Sequence, residues 1–257
     1  MDGTSRLCLT AAAVGALSML ACRESPSGRG AVTLSVTTRA VTDSGAAIQA
    51  GDTIVVARGA DTIVIRQADL VLRETVLQRA RYQECEEEEG EDCAVLRAGA
   101  MRLRLPLDTA VASIVTMPVP VDTYSTLQFE IYRPDRRLDS AFLAAQPDLA
   151  GTSVRARGTF SRAGARHDFD YASEFNEVQE VLLGGPLPAP AGSRGRVTLH
   201  VDVGSWFLTA DGAALIDPAS ATPDGDDEIQ IRDNVRLSLH ASVGADSVAA
   251  LRAPSSP

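Results

Sequence analysis

The chain has three imidazoles, His167, His200 and His240, and no two stand four residues apart or pair with a cysteine, so no helix face or hairpin offers the spacing of a zinc or iron site. His200 alternates with Thr198 and Asp202 on the expected solvent face of a strand. His167 begins a strand after a turn, and His240 ends an expected helix, where a protonated ring would favour the dipole. A serine nucleophile would need a Gly-x-Ser-x-Gly elbow, and the chain has none. Ser193, in Gly192-Ser193-Arg194-Gly195, sits in a proline-rich stretch rather than a strand-to-helix turn. Every one of the 24 cationic side chains is arginine. Schiff-base chemistry, a phosphate-loop lysine and a lysine general base are thereby excluded. The 34 acidic residues guarantee close carboxylate pairs somewhere, so such pairs carry no signal for glycoside hydrolysis. The expectation is a protein that is not an enzyme and uses no cofactor and no metal.

Two acidic groups offer oxygen to a hard cation. The run Glu84 to Asp92 is one of adjacent glutamates without the interleaved Asn or Asp and the mid-loop glycine arrangement of a calcium loop, and reads as a solvated loop tip. Asp211, Asp217, Asp224, Asp226 and Asp227 follow Trp206-Phe207 and are spaced by glycines and prolines. They could cage calcium, but aspartate is also a turn former, and Asp226 and Asp227 are placed to cap a following helix. Trp206 could stack on a sugar ring. At the end of an alternating strand it is expected to be a core plug instead.

The cysteines carry the clearest chemistry. Arg6, the apolar stretch Leu7 to Leu20, and Met19-Leu20-Ala21-Cys22 resemble a bacterial export signal whose lipobox is cut just before an acylated cysteine. The apolar run is short for a bilayer span, and Arg23 to Gly30 is polar enough for a tether. Arg23 follows the lipidation candidate Cys22; the resemblance to lipoproteins of cells with two membranes, in which an aspartate at that position often retains the protein at the inner membrane, implies the outer one here. Cys8 falls inside the signal. Cys85 and Cys93 then remain, flanking a short acidic loop in an oxidising compartment, and are expected to form a disulfide worth roughly 2–3 kcal/mol on the chain-entropy account.

A net charge of -10 opposes nucleic acid and anionic surfaces, so no nucleic-acid partner is expected. The partners expected are the membrane, through the N-terminal lipid, and a protein or glycan.

From Ala31 onward apolar residues recur every second position. Val32, Leu34 and Val36 do so, as do Leu103, Leu105 and Leu107; Leu127, Phe129 and Ile131; Val154, Ala156 and Phe160; and Val197, Leu199, Val201 and Val203. This is the period of strands buried on one face, and it predicts antiparallel pairing. Turns are expected at Ser44-Gly45, Arg58–Asp61 and Arg162–Ala165. Ala68 to Arg81 breaks strict alternation and is read as a bulged strand. Gly184 to Gly195, with three prolines, is read as a long surface loop. Asp227 to His240 spaces Ile231, Val235 and Leu239 along one helical face, and Gly244 follows its end. The fold expected is an all-β antiparallel sandwich with one C-terminal helix. Its parts are a signal over 1–21, a tether over 22–30, the sandwich over 31–243 and a disordered tail over 244–257.

The lipobox together with Val119-Pro120-Val121-Asp122-Thr123-Tyr124, leading into the strand Leu127 to Tyr132, resembles uncharacterised bacterial lipoproteins. Their prealbumin-like or carboxypeptidase-regulatory-like sandwiches carry a Pro-x-Gly-x-Tyr turn, with Asp122 standing here for the glycine. The resemblance implies a sandwich in the cell envelope and no activity. The function expected is that of a lipid-anchored, extracytoplasmic, non-catalytic binding or structural module. The alternatives are a calcium-stabilised adhesin-like or glycan-binding domain and, third, an extracytoplasmic hydrolase.

Overall fold

The computed structural model describes residues 28–39, 47–80, 94–96, 99–108 and 110–245. Cys22, Cys85 and Cys93, and the acidic run between the last two, lie outside the described residues. The chain begins with β1 (Arg29–Arg39), β2 (Ala47–Ala50), β3 (Thr53–Arg58) and the long β4 (Asp61–Arg79). The short β5 (Ala94–Leu96) and β6 (Met101–Arg104) precede β7 (Val111–Pro120) and β8 (Asp122–Ile131). Helix α1 (Ser140–Ala145) and a 3-10 turn (Pro147–Leu149) intervene before β9 (Val154–Arg162), β10 (Ala165–Ser173), β11 (Glu177–Ala189) and β12 (Arg194–Asp202). Helix α2 (Asp226–Leu237) and β13 (Leu239–Ala245) follow.

The strands form two sheets. One has the order β13-β12-β1-β7; the other runs β10-β9-β4-β3-β2, with β5, β6 and β8 also on β4 and β11 on β8. Their inner faces meet in a single core that joins Val32, Leu34, Val36, Val197, Leu199 and Val201 of the first sheet to Ile63, Ile65, Leu127, Phe129 and Phe160 of the second. This is the mostly antiparallel sandwich that the alternation predicts. One pair departs from it: β1 and β12 run parallel, from Ala31 opposite Arg194 to Arg39 opposite Asp202. Alternation reports which face is wet and is silent on strand direction, so a half-wet parallel pair has the same pattern.

The broken alternation of β4 has a cause in its geometry. Ile63 and Ile65 face the core, the register against β9 then slips between Ile65 and Gln67, and Ala68, Leu70 and Leu72 take over on the opposite parity. A second slip against β8, between Arg73 and Val76, includes Glu74 at φ 49° and returns the parity to Leu77. Each bulge inserts one residue and moves the following side chains to the other face. Gly158 lies opposite Ile65 beside the first bulge, and a Cβ there would fall on the Val64 carbonyl.

Two segments differ from expectation. Most of the proline-rich stretch is strand: β11 pairs with β8 up to Leu182, bulges through Gly184 at φ 72°, and resumes with Leu187 opposite Tyr124. Leu187 and Ala189 are buried while Pro186 and Pro188 are exposed, so the prolines occupy the wet face of a strand whose ladder partner among the described residues is β8. Helix α2 ends at Leu237, three residues early, and His240 and Gly244 belong to β13. Ser238 ends the helix: its N–H bonds the Asn234 and Val235 carbonyls and its Oγ donates to Val235, after which Leu239 joins Val201. The helix starts at Gly225 with no side-chain cap, so Asp226 and Asp227 are first-turn residues and do not cap it.

Candidate functional site: an arginine-lined cleft

The 22 residues between β8 and β9 do not turn back directly. Val71, which β4 aims away from the sandwich core, packs with Tyr132 and Leu149, and Phe142 of α1 leans on the same cluster. This small outer core holds α1 and the 3-10 turn against the back of the larger sheet. Beside it Asp69, with no exposed side-chain surface, takes a two-pronged bond from Arg102: Nε to Oδ1 at 2.8 Å and Nη2 to Oδ2 at 2.9 Å. Burial works against the charge on Asp69, but hydrogen bonds from Arg102 and Gln67 and the charges of Arg102 and Arg104 hold its carboxyl below the ordinary range. Arg102 also donates to Gln146 Oε1 just after α1, so the ion pair fixes the covering segment to the sheet.

Between that outer core and the loop 132–138 lies a cleft of about 800 Å³, lined by Arg73, Arg133, Arg136 and Arg137 with Tyr132, Asp135, Glu174 and Asn176. Its loop is ordered by its own polar groups. Asp135 Oδ1 accepts the N–H groups of Arg137 and Leu138 at 2.7 and 3.2 Å. Asp139 Oδ2 accepts from the Tyr132 hydroxyl and from the Asp135 N–H, both at 2.8 Å. Asn176 receives the Arg133 N–H at 2.6 Å, and Pro134 receives that of Gly151. The two N–H bonds hold the Asp135 carboxyl below its usual range, while burial and the Asp139 bond push the Tyr132 hydroxyl up, so it stays a donor.

The four guanidinium groups are not equivalent. Arg73 lies over the Tyr132 ring, 4.0 Å from its centre, and pairs with Glu130 at 2.8 Å. Arg133 pairs with Glu174 at 3.2 Å. Arg136 and Arg137 are exposed, and among the described residues neither side chain makes a hydrogen bond or an ion pair, although the charge of Arg137 acts on the Asp135 carboxyl. In a chain of net charge -10 the cleft is therefore a local positive site presented by a rigid turn.

The residues singled out from sequence do not assemble into a competing site. His167 Nε2 stands 3.0 Å from Asp217 Oδ1 and its ring packs on Phe160, which ties β10 to the turn at Asp217. His200 lies opposite His240 across β12 and β13 and meets Ser242 Oγ at 2.7 Å. The Ser193 hydroxyl donates to the Pro190 carbonyl within its own turn. Asp211 accepts from Thr209 and Ala213 within its own turn, Asp217 accepts from Ala219 as well as facing His167, and the exposed Asp224 lies 3.9 Å from Arg232 of α2, so the aspartates are engaged separately. Among the described residues no three His, Cys, Asp or Glu side chains come together in a way that could hold a metal. Trp206 is fully buried, its indole N–H donating to Ser238 Oγ at 3.0 Å, which makes it the expected core plug and removes it as a sugar platform. Among the described residues no helix is long and apolar enough to cross a membrane.

The arginine cleft went unnoticed in sequence. Its one signal is the basic run Arg133-Pro134-Asp135-Arg136-Arg137 in an acidic chain; Arg73, sixty residues away, has none. No known protein family, no curated protein and no solved structure matches this chain. What the structure supports of the resemblance is its coarse part, two packed β-sheets.

Proposed function

We propose that the protein is a lipid-anchored, extracytoplasmic β-sandwich that acts as a non-catalytic binding module, with the Arg73–Arg137 cleft as its binding surface. The observation that carries this reading is the cleft itself: a concave, polar site whose loop is held by its own hydrogen bonds and in which the exposed side chains of Arg136 and Arg137 make no hydrogen bond or ion pair among the described residues. Anchoring rests on the lipobox ending at Cys22 and the polar tether after it. The chemistry of the cleft favours binding over turnover: Glu174 is engaged by Arg133 and Asp135 by backbone N–H groups, and the Tyr132 hydroxyl, which donates to Asp139, is held in its protonated form by burial and by that bond. A relationship to prealbumin-like lipoproteins belongs to the same proposal. It is supported by the hairpin at Val121, where the Tyr124 hydroxyl closes onto the Pro120 carbonyl at 2.8 Å. The Cys85–Cys93 disulfide is proposed on the same compartment.

The test has two arms. A fatty-acid analogue should label the wild-type protein and not Cys22→Ser; equal labelling of both would remove the anchor. A photo-crosslinking residue at Leu138, 77 % exposed on the cleft rim, should give a discrete adduct in native envelopes. The same residue at Val111, exposed on the other sheet, should not. No adduct at Leu138, or the same adduct at both positions, would remove the cleft as the binding surface.

A further inference from the structure

We infer that the cleft takes a phosphate group, with Arg136 and Arg137 as its primary ligands and the remaining N–H donors of Arg73 and Arg133 behind them. This rests on the reading of the cleft as a binding surface and adds the chemical class of the occupant.

The argument begins with what is already satisfied. A singly charged, planar carboxylate is matched by one guanidinium fork, and the protein meets that demand internally: Glu130 lies on Arg73 and Glu174 on Arg133. Beyond these pairs two whole guanidinium groups remain at adjacent positions, set against the single carboxylate of Asp135. Asp135 turns Oδ1 into the backbone, toward the N–H groups of Arg137 and Leu138, where it shapes the turn. Two forks at successive positions, opposed only by the charge of Asp135 on Arg137, suit a ligand that carries about two charges and several acceptor oxygens, which is what a phosphate monoester offers. Arg73 cannot swing away, because the Tyr132 ring and Glu130 hold it from two sides. The loop cannot collapse onto a bound anion, since Asp139 ties Tyr132 to Asp135 across its base. Binding then costs little reorganisation of the backbone. The cleft is open and polar, so the rest of the ligand extends into solvent or toward a membrane surface. The phosphate has two possible sources, a soluble monoester and a phospholipid headgroup.

The experiment uses the full-length protein in a non-ionic, phosphate-free detergent, titrated calorimetrically with glycerol 3-phosphate, dihexanoyl phosphatidic acid, whose headgroup is a phosphate monoester, and acetate. Saturable binding of glycerol 3-phosphate, at least about tenfold tighter than acetate, is expected. Arg136→Glu/Arg137→Glu should weaken it by about tenfold or more, whereas Arg29→Glu/Arg194→Glu, the same charge change on the other sheet, should leave it within about twofold. Asp135→Asn keeps the acceptor oxygen and removes the charge, and should tighten binding, a gain that misfolding does not produce. Binding of the monoester alone identifies a soluble ligand; comparable binding of the short-chain lipid identifies a headgroup. Acetate binding as tightly as phosphate, or no difference between the two double variants, overturns the inference. An adduct at Leu138 without phosphate binding would overturn the ligand class and leave the binding surface standing.

Discussion

The guanidinium of Arg73 is clamped between the Tyr132 ring, 4.0 Å from its centre, and Glu130 Oε2, which receives both Nε and Nη2. Tyr132 in turn holds the loop through Asp139. Tyr132→Phe removes one charge-assisted hydrogen bond and should cost about 1–2 kcal/mol. Tyr132→Leu also removes the stacking and part of the outer core and should cost about 3 kcal/mol. Urea unfolding of the two variants gives the difference; equal costs would show that the ring face contributes nothing.

Asp69 makes stability depend on pH in one direction. Its carboxyl is held below the ordinary value of 3.8 in the folded state, so the folded protein binds the proton less readily than the unfolded chain. The stabilisation is complete above the unfolded value and is lost as pH falls from about 3.8 through the folded pKa. Asp69→Asn should therefore lower the urea midpoint near neutral pH and flatten its acid dependence below pH 4. An unchanged acid slope in that variant would place the acid sensitivity elsewhere.

Ser238 serves two structures at once, as acceptor for the Trp206 indole and as the end of α2. Ser238→Ala leaves a fully buried N–H without its acceptor and should cost about 1–3 kcal/mol. The loss should appear in thermal unfolding, with a shift in the Trp206 fluorescence maximum. A neutral substitution would mean that the indole finds another acceptor.

Asp227 lies in the first turn of α2 and makes no capping bond. Its remaining contribution is to the helix dipole, so Asp227→Ala should cost only a few tenths of a kcal/mol, and millimolar calcium should not change that cost. A calcium-specific rise in melting temperature that Asp217→Ala abolishes would revive the adhesin-like alternative.

The sandwich was legible because its strands are wet on one face. Val197, Leu199 and Val201 alternate with Thr198 and His200 in sequence and are buried as that pattern requires. The bulges of β4 were visible as lost parity at Leu70-Val71-Leu72, since a slip of one residue must show in the pattern. The strand after Gly184 was hidden because prolines signal loops, and only pairing with β8 shows that Pro186 and Pro188 sit on its wet face. The end of α2 was hidden because Leu239 satisfies helix and strand periods alike, and the Trp206–Ser238 bond decides between them. The cleft was the least legible feature. It needs Arg73 from β4, Glu174 from beyond β10 and a loop folded by Asp135 and Asp139, and no local pattern joins residues that far apart.

The cleft as binding surface is tested most directly by arginine-selective dicarbonyl labelling, read residue by residue by mass spectrometry. Intact envelopes are compared with the full-length protein purified in non-ionic detergent. Arg136 and Arg137 should label readily in the purified protein and be protected in envelopes, while Arg194, exposed on the other sheet, should label equally in both. Equal labelling of Arg136 and Arg137 in the two preparations would mean that nothing occupies the cleft where the protein works, and would contradict the account.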